Sequence, residues 1–317
     1  MKSKVYFTKV LEPSSLIKLY KKLGLELSGN VAVKLHSGER GNQNYLKPEF
    51  LKDIIEEVNG TVVECNTAYE GARNTTEKHL ELMKEHKWSD YFTVDILDSE
   101  GEEVLENPTG EIIKKNYVGA NMKNYDSMLV LSHFKGHPMG GFGGALKNIS
   151  IGLASSNGKR YIHCNGKENA SYEDMFQSDH DSFIIGMADA AKTITETYKN
   201  KIAFINSVVN LSVDCDCCGT AKDPCMKDIG ILASLDPVAL DQACIDLIYN
   251  STDQGKELLI ERIESRHGLL ILESAEKQQI GTREYELISI DWCKSERKVH
   301  FFCVIYILTY WIMLKLR

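Results

Sequence analysis

The chain has 317 residues, 43% apolar and 26% charged, with 23 glycines and only 6 prolines. That composition excludes a disordered, collagen-like or low-complexity protein, and the length allows a buried core without disulfide staples. The formal charge is −8, and the first 291 residues carry 32 Lys/Arg against 44 Asp/Glu, which argues against sequence-independent nucleic-acid binding, where phosphates are met by clustered lysine and arginine.

The opening segment MKSKVYFTKV has no apolar core and no small-residue cleavage site, so a cytoplasmic, reducing compartment is expected. Further along, residues 31–36 read as a strand, followed by a polar glycine loop over 37–44. Pro48 suits the first turn of a helix that runs to Val58, and Gly60 ends it. A second strand is expected at 61–65, a loop at 66–75 and a helix at 76–86. The stretch 95–124 is less regular, with Asp98, Gly101, Pro108 and Gly110 as turn signals. Residues 127–132 form an apolar run of the kind a doubly covered central strand needs. A histidine- and glycine-rich loop, 133–144, leads into a helix near Ala145. A short strand is expected at Tyr161 and Ile162, and a helix over 181–198 on the spacing of Phe183, Ile184, Met187, Ala191, Ile194 and Tyr198. Strands at 202–209 and 229–234 bracket a cysteine-rich loop, and Asp236 caps a helix that Pro237 begins. Strands alternating with helices predict an α/β fold, a mostly parallel sheet flanked by helices, with a lobe division near residue 125 and a cleft between the lobes. The main domain covers 1–291. The tail, 292–317, is atypical: its apolar run 301–314 falls short of the roughly 20 residues a spanning helix needs, so a buried terminal strand or helix, or a non-native end of the reading frame, is expected there, with membrane attachment through that run alone as the alternative.

Four of the nine cysteines, Cys215, Cys217, Cys218 and Cys225, fall within eleven residues. In a reducing compartment such density reads as metal or redox chemistry, because thiolates are soft ligands for zinc or iron–sulfur clusters. On an extended segment alternate residues share a side, so Cys215 and Cys217 point together and Cys218 elsewhere. Asp214, Asp216 and Asp223 supply hard ligands or acceptors around them. His133 and His137 are candidate acid/base groups or metal ligands. Gly140, Gly141, Gly143 and Gly144 free backbone N–H groups for an anion ahead of a helix N-terminus, with Lys135 and Lys147 adding full charges. The loop lacks both the phosphate-loop lysine and the third glycine of the dinucleotide fingerprint. Arg40 offers a bidentate clamp for a carboxylate or phosphate. In a parallel sheet Lys34, His36, Arg40, Arg73, His133, Lys135 and His137 share one edge and make a cationic cleft for a small anionic ligand.

The run 132–137 with 144–148, and the cysteine loop continuing into 228–241, resemble the family called domain of unknown function 362, over about residues 2–291. The resemblance implies an iron–sulfur protein, since many members carry an inserted ferredoxin-type module. Between Gly152 and Phe183, where such a module would sit, this chain has only Cys164. The family is akin in fold to the lactate racemase group, and His133, His137 and Lys147 are similar in arrangement to that group's acid/base histidines and cofactor-holding lysine. The expected function is therefore a metal-binding protein, with an ion or iron–sulfur cluster on Cys215, Cys217, Cys218 and Cys225 and a redox role. The alternatives are a cofactor-dependent isomerase or racemase of small hydroxy acids using the two histidines, and a non-catalytic binding protein with a structural zinc.

Overall fold

The computed structural model describes residues 2–291; the apolar run 301–314, and the readings of it as a buried terminal element or a membrane attachment, lie outside the described residues. Among the described residues twelve strands are formed: β1 (Ser3–Thr8), β2 (Val31–Lys34), β3 (Gly60–Glu64), β4 (Val94–Ile96), β5 (Glu102–Glu106), β6 (Lys115–Gly119), β7 (Ser127–His133), β8 (Lys135–His137), β9 (Gly141–Gly143), β10 (Ile202–Val208), β11 (Gly230–Ser234) and β12 (Tyr285–Ser289). Ten α-helices accompany them: α1 (Pro13–Leu23), α2 (Pro48–Glu57), α3 (Thr76–Glu85), α4 (Trp88–Tyr91), α5 (Ala145–Ser150), α6 (Ser156–His163), α7 (His180–Thr197), α8 (Pro237–Tyr249), α9 (Lys256–Ser265) and α10 (Leu270–Lys277). None of the described helices is long and apolar enough to cross a membrane.

Eight strands make one sheet in the order β12-β1-β11-β10-β7-β2-β3-β4, and the α/β architecture read from the sequence is the one observed. Every pairing is parallel except those of β11, which runs against both β1 and β10. Alternation along the central strands explains the two covered faces. Met128 and Val130 of β7, with Ile202 and Phe204 of β10, join the core under α5, α7, α8 and α10. Leu129, Leu131, Ala203 and Ile205 join the opposite core under α1 and α2. Successive residues of a strand point to opposite faces, so a strand covered on both sides must be apolar throughout.

Residues 95–124 resolve into β4 and an antiparallel hairpin, β5 with β6. The strand expected at Tyr161 and Ile162 is instead the end of α6: the Ser155 side chain accepts a hydrogen bond from the Gly158 N–H and starts a helix there. Asp236 caps α8 as expected, accepting from the N–H groups of Val238 and Ala239.

The antiparallel course of β11 matters most for the site. Because β11 returns alongside β10, the connection between them turns at the carboxyl end of β10. The cysteine loop therefore lies on the same sheet edge as the loops after β2, β3 and β7. In α/β sheets that edge is where ligands bind.

Candidate thiolate–imidazole centre

Backbone bonds tie the converging loops together. The Glu39 N–H donates to the Asp216 carbonyl (2.8 Å), and the Gly136 N–H to the Ser212 carbonyl (2.8 Å). Asn42 Nδ2 donates to the Cys218 carbonyl (2.9 Å). At Gly136 a Cβ would lie 2.4 Å from the Val213 carbonyl oxygen, closer than any side chain tolerates. Glycine there lets the β8–β9 hairpin, which carries His137, press against the cysteine loop.

The donor atoms of His137, Cys215 and Cys217 all lie within 4.8 Å of one another, a group that could hold a metal ion. As alternation on an extended segment requires, the two cysteines flanking Asp216 face the same way, and the Cys217 N–H donates to Cys215 Sγ (3.4 Å). His137 Nδ1 accepts from the N–H groups of Gly140 (2.8 Å) and Met139 (3.2 Å). His36 Nδ1 accepts from the Gly38 N–H (3.0 Å). Amide nitrogens only donate, so both rings keep Nε2 for the Cys215 sulfur, with which each interacts. The Cys215 thiol is held well below its ordinary range: Cys217 donates a hydrogen bond to it, and His137 and His36 add to this against the cost of burial. Cys217 moves the opposite way, kept protonated by its bond to Cys215 and by burial. Burial, with the Lys147 charge second, pulls His137 down to about 4. The two sulfurs are thus pushed apart in acidity, Cys215 toward the thiolate and Cys217 toward the thiol.

Of the four cysteines expected to act together, Cys215 and Cys217 belong to this group. Cys218 Sγ faces the Thr220 hydroxyl (3.7 Å), and Cys225 Sγ donates to the Leu211 carbonyl (3.2 Å). Asp214 accepts from the Lys222 N–H (3.1 Å), while Asp216 turns away from the sulfurs. Its carboxylate accepts from Lys135 Nζ (2.7 Å) and from His133 Nδ1 (2.9 Å). His133 Nε2 donates to the Val209 carbonyl (2.7 Å), so both nitrogens of that ring are engaged. Burial works against the Asp216 charge, yet His133 and Lys135 hold its carboxyl well below the usual range.

A second buried ionic cluster lies beside the first. Lys34 Nζ pairs with Glu64 (3.2 Å) and bonds the Leu35 carbonyl. Glu64 also accepts from the Ser37 N–H (2.7 Å) and hydroxyl (2.9 Å). Arg73 reaches Glu39 (3.3 Å), Glu64 (3.8 Å) and the Tyr69 hydroxyl (2.8 Å). Three carboxylates, Glu39, Glu64 and Asp216, therefore balance the cations that the sequence places at this edge. Arg40 is not among them: it is exposed and forms a bidentate pair with Glu85 (2.8 and 2.6 Å) on the surface. Glu64 was not singled out in the sequence, although a carboxylate ending an apolar strand, after Val62 and Val63, is the signal that would have found it.

The glycine loop spends its donors inside the protein. The Gly140 N–H goes to His137. Gly141 takes a left-handed φ of 77° where the chain passes Gly268. The free N–H groups of Ala145 and Leu146, at the start of α5, are bonded by the Asp241 carboxylate (2.8 and 3.0 Å), which packs against Gly144. Gly143 leaves room for the stems of Lys135 and Lys147: a Cβ there would lie 3.4 and 3.9 Å from them. Lys147 is half-buried, and its side chain has no hydrogen bond or ion pair among the described residues.

The model of a domain of unknown function (DUF362) matches residues 31–246. No curated protein matches the chain. Among solved structures, the lactate racemase apoprotein from Thermoanaerobacterium thermosaccharolyticum is similar at 17% identity and a TM-score of 0.41, over 66% of this chain and 51% of that one. A protein from Thermotoga maritima is similar at 12% identity and a TM-score of 0.39, over 84% of this chain and 58% of that one. The chain thus spans only about half the length of these two structures.

Proposed function

The chain belongs to the DUF362 family, and from that premise we propose that it binds a single soft metal ion through the Cys215 and Cys217 thiolates, with His137 as third donor. The observation that carries this reading is the convergence of the three donor atoms within 4.8 Å. Sulfur and imidazole donors suit zinc, iron or copper rather than magnesium or calcium. An iron–sulfur cluster generally takes four protein thiolates, and two sulfurs belong to this group, so a mononuclear ion fits better. Three protein donors leave a tetrahedral ion one open position, as in centres that act on a ligand rather than staple a fold. Bound there, the ion would supply Lewis acidity or, if redox-active, electron transfer. The two amide N–H groups on His137 Nδ1 keep its proton on Nε2, so the thiolates are the primary donors; loading would displace the Cys217 proton, and His137 would join through Nε2 as its proton passes to Nδ1 at the expense of those two amide bonds.

A proton-transfer pair made of His133 and His137 has less support, because His133 is hydrogen-bonded at both nitrogens. Elemental analysis of protein purified without oxygen tests the reading. About one metal equivalent is expected in wild type and in Cys225→Ser, and much less in Cys217→Ser. Metal-free wild type, or full occupancy in Cys217→Ser, would overturn it.

A further inference from the structure

We propose that Lys147 is the recognition point for a small monocarboxylate brought up to the thiolate centre. The argument is one of elimination over named cations. Lys34, Arg73 and Lys135 are buried and matched by Glu64, Glu39 and Asp216, and Arg40 is tied to Glu85. Lys147 is the half-buried lysine of this edge whose side chain has no partner among the described residues; Lys222, in the cysteine loop, is exposed and Lys47 lies over the Tyr45 ring. Its stem passes Gly143 beside that of Lys135, and its charge acts on both His137 and Cys217. Lys147, Cys217 and His36 are the members of this group that keep part of their surface in solvent. A ligand entering from that side would find an ammonium and a sulfur in the same group.

The same inventory selects the ligand's charge. Phosphate sites draw on several free amide N–H groups or an arginine fork. Here Asp241 occupies the start of α5, and both arginines are engaged. One ammonium without such helpers matches one carboxylate. The inference rests on the metal reading only for what the ligand's other end would meet, and its test needs no metal.

The test compares two alkylating reagents on the full-length protein after chelator treatment, with labelling of Cys215 and Cys217 followed by peptide mass spectrometry. Iodoacetate carries a carboxylate and iodoacetamide does not; with either, the thiolate sulfur displaces iodide from the methylene carbon. Lys147 should favour iodoacetate, so that Lys147→Met lowers the iodoacetate-to-iodoacetamide rate ratio by roughly three- to tenfold at low salt. Lys147→Arg should keep most of the ratio, and acetate should slow labelling of wild type but not of Lys147→Met. Any change in thiol ionisation affects both reagents alike and cancels in the ratio, and an unchanged circular-dichroism spectrum and melting temperature report an intact fold. An equal ratio in wild type and Lys147→Met would overturn the inference, as would protection by phosphate but not by acetate. Because the protein is metal-free throughout, either result leaves the metal measurement independent.

Discussion

Asp216 accepts hydrogen bonds from two buried side chains, His133 and the Lys135 ammonium, on a loop whose backbone is bonded to Glu39. Removing one partner of a buried pair is costly because the other charges stay desolvated, typically by about 3–5 kcal/mol. Asp216→Asn should therefore destabilise the protein by about that much in denaturant unfolding. The pH dependence has a definite sign. The carboxyl is depressed in the folded state, so its stabilisation is present above the unfolded value near 4 and is lost as pH falls below it. Wild type should lose its margin over Asp216→Asn on acidification below about pH 4; a margin constant down to pH 2 would show that the carboxylate is not so paired. By contrast, the pair of Arg40 with Glu85 is exposed and should matter little.

At the scale of elements, the centre depends on two loops that approach more closely than side chains permit. The β8–β9 hairpin meets the cysteine loop at Gly136, where a Cβ would lie 2.4 Å from the Val213 carbonyl oxygen. Gly136→Ala touches no donor atom, yet it should separate His137 from Cys215. The expected cost is about 1–3 kcal/mol of stability, as for an overpacked interior, together with metal content clearly below wild type. Folded Gly136→Ala with full metal content would mean that the hairpin does not position the site. The sharing of a sheet edge by these loops follows from β11, whose antiparallel return folds the connection 209–229 back over the carboxyl end of the sheet.

For the molecule as a whole, the parts legible in the sequence were those that follow from local periodicity. The apolar runs at β7 and β10, the helix cap at Asp236 and the alternation that sets Cys215 and Cys217 on one side all depend on near neighbours. Partner identities depend on register between distant segments and were not legible. Arg40 and Arg73 look alike as loop arginines, yet one is on the surface and the other is buried between Glu39 and Glu64. The start of α5 reads as an anion site until the fold brings Asp241 of α8 onto it. Cys218 and Cys225 share the density of the cluster, but the loop turns them toward Thr220 and Leu211.

The central claim is that Cys215 and Cys217 hold one ion together, and cobalt substitution tests it most directly. Co(II) added to metal-free protein should produce an intense sulfur-to-cobalt charge-transfer band that saturates near one equivalent. That band should weaken markedly in Cys217→Ser while Cys218→Ser keeps it. A faint spectrum without sulfur bands, or one indifferent to loss of Cys217, would contradict the account.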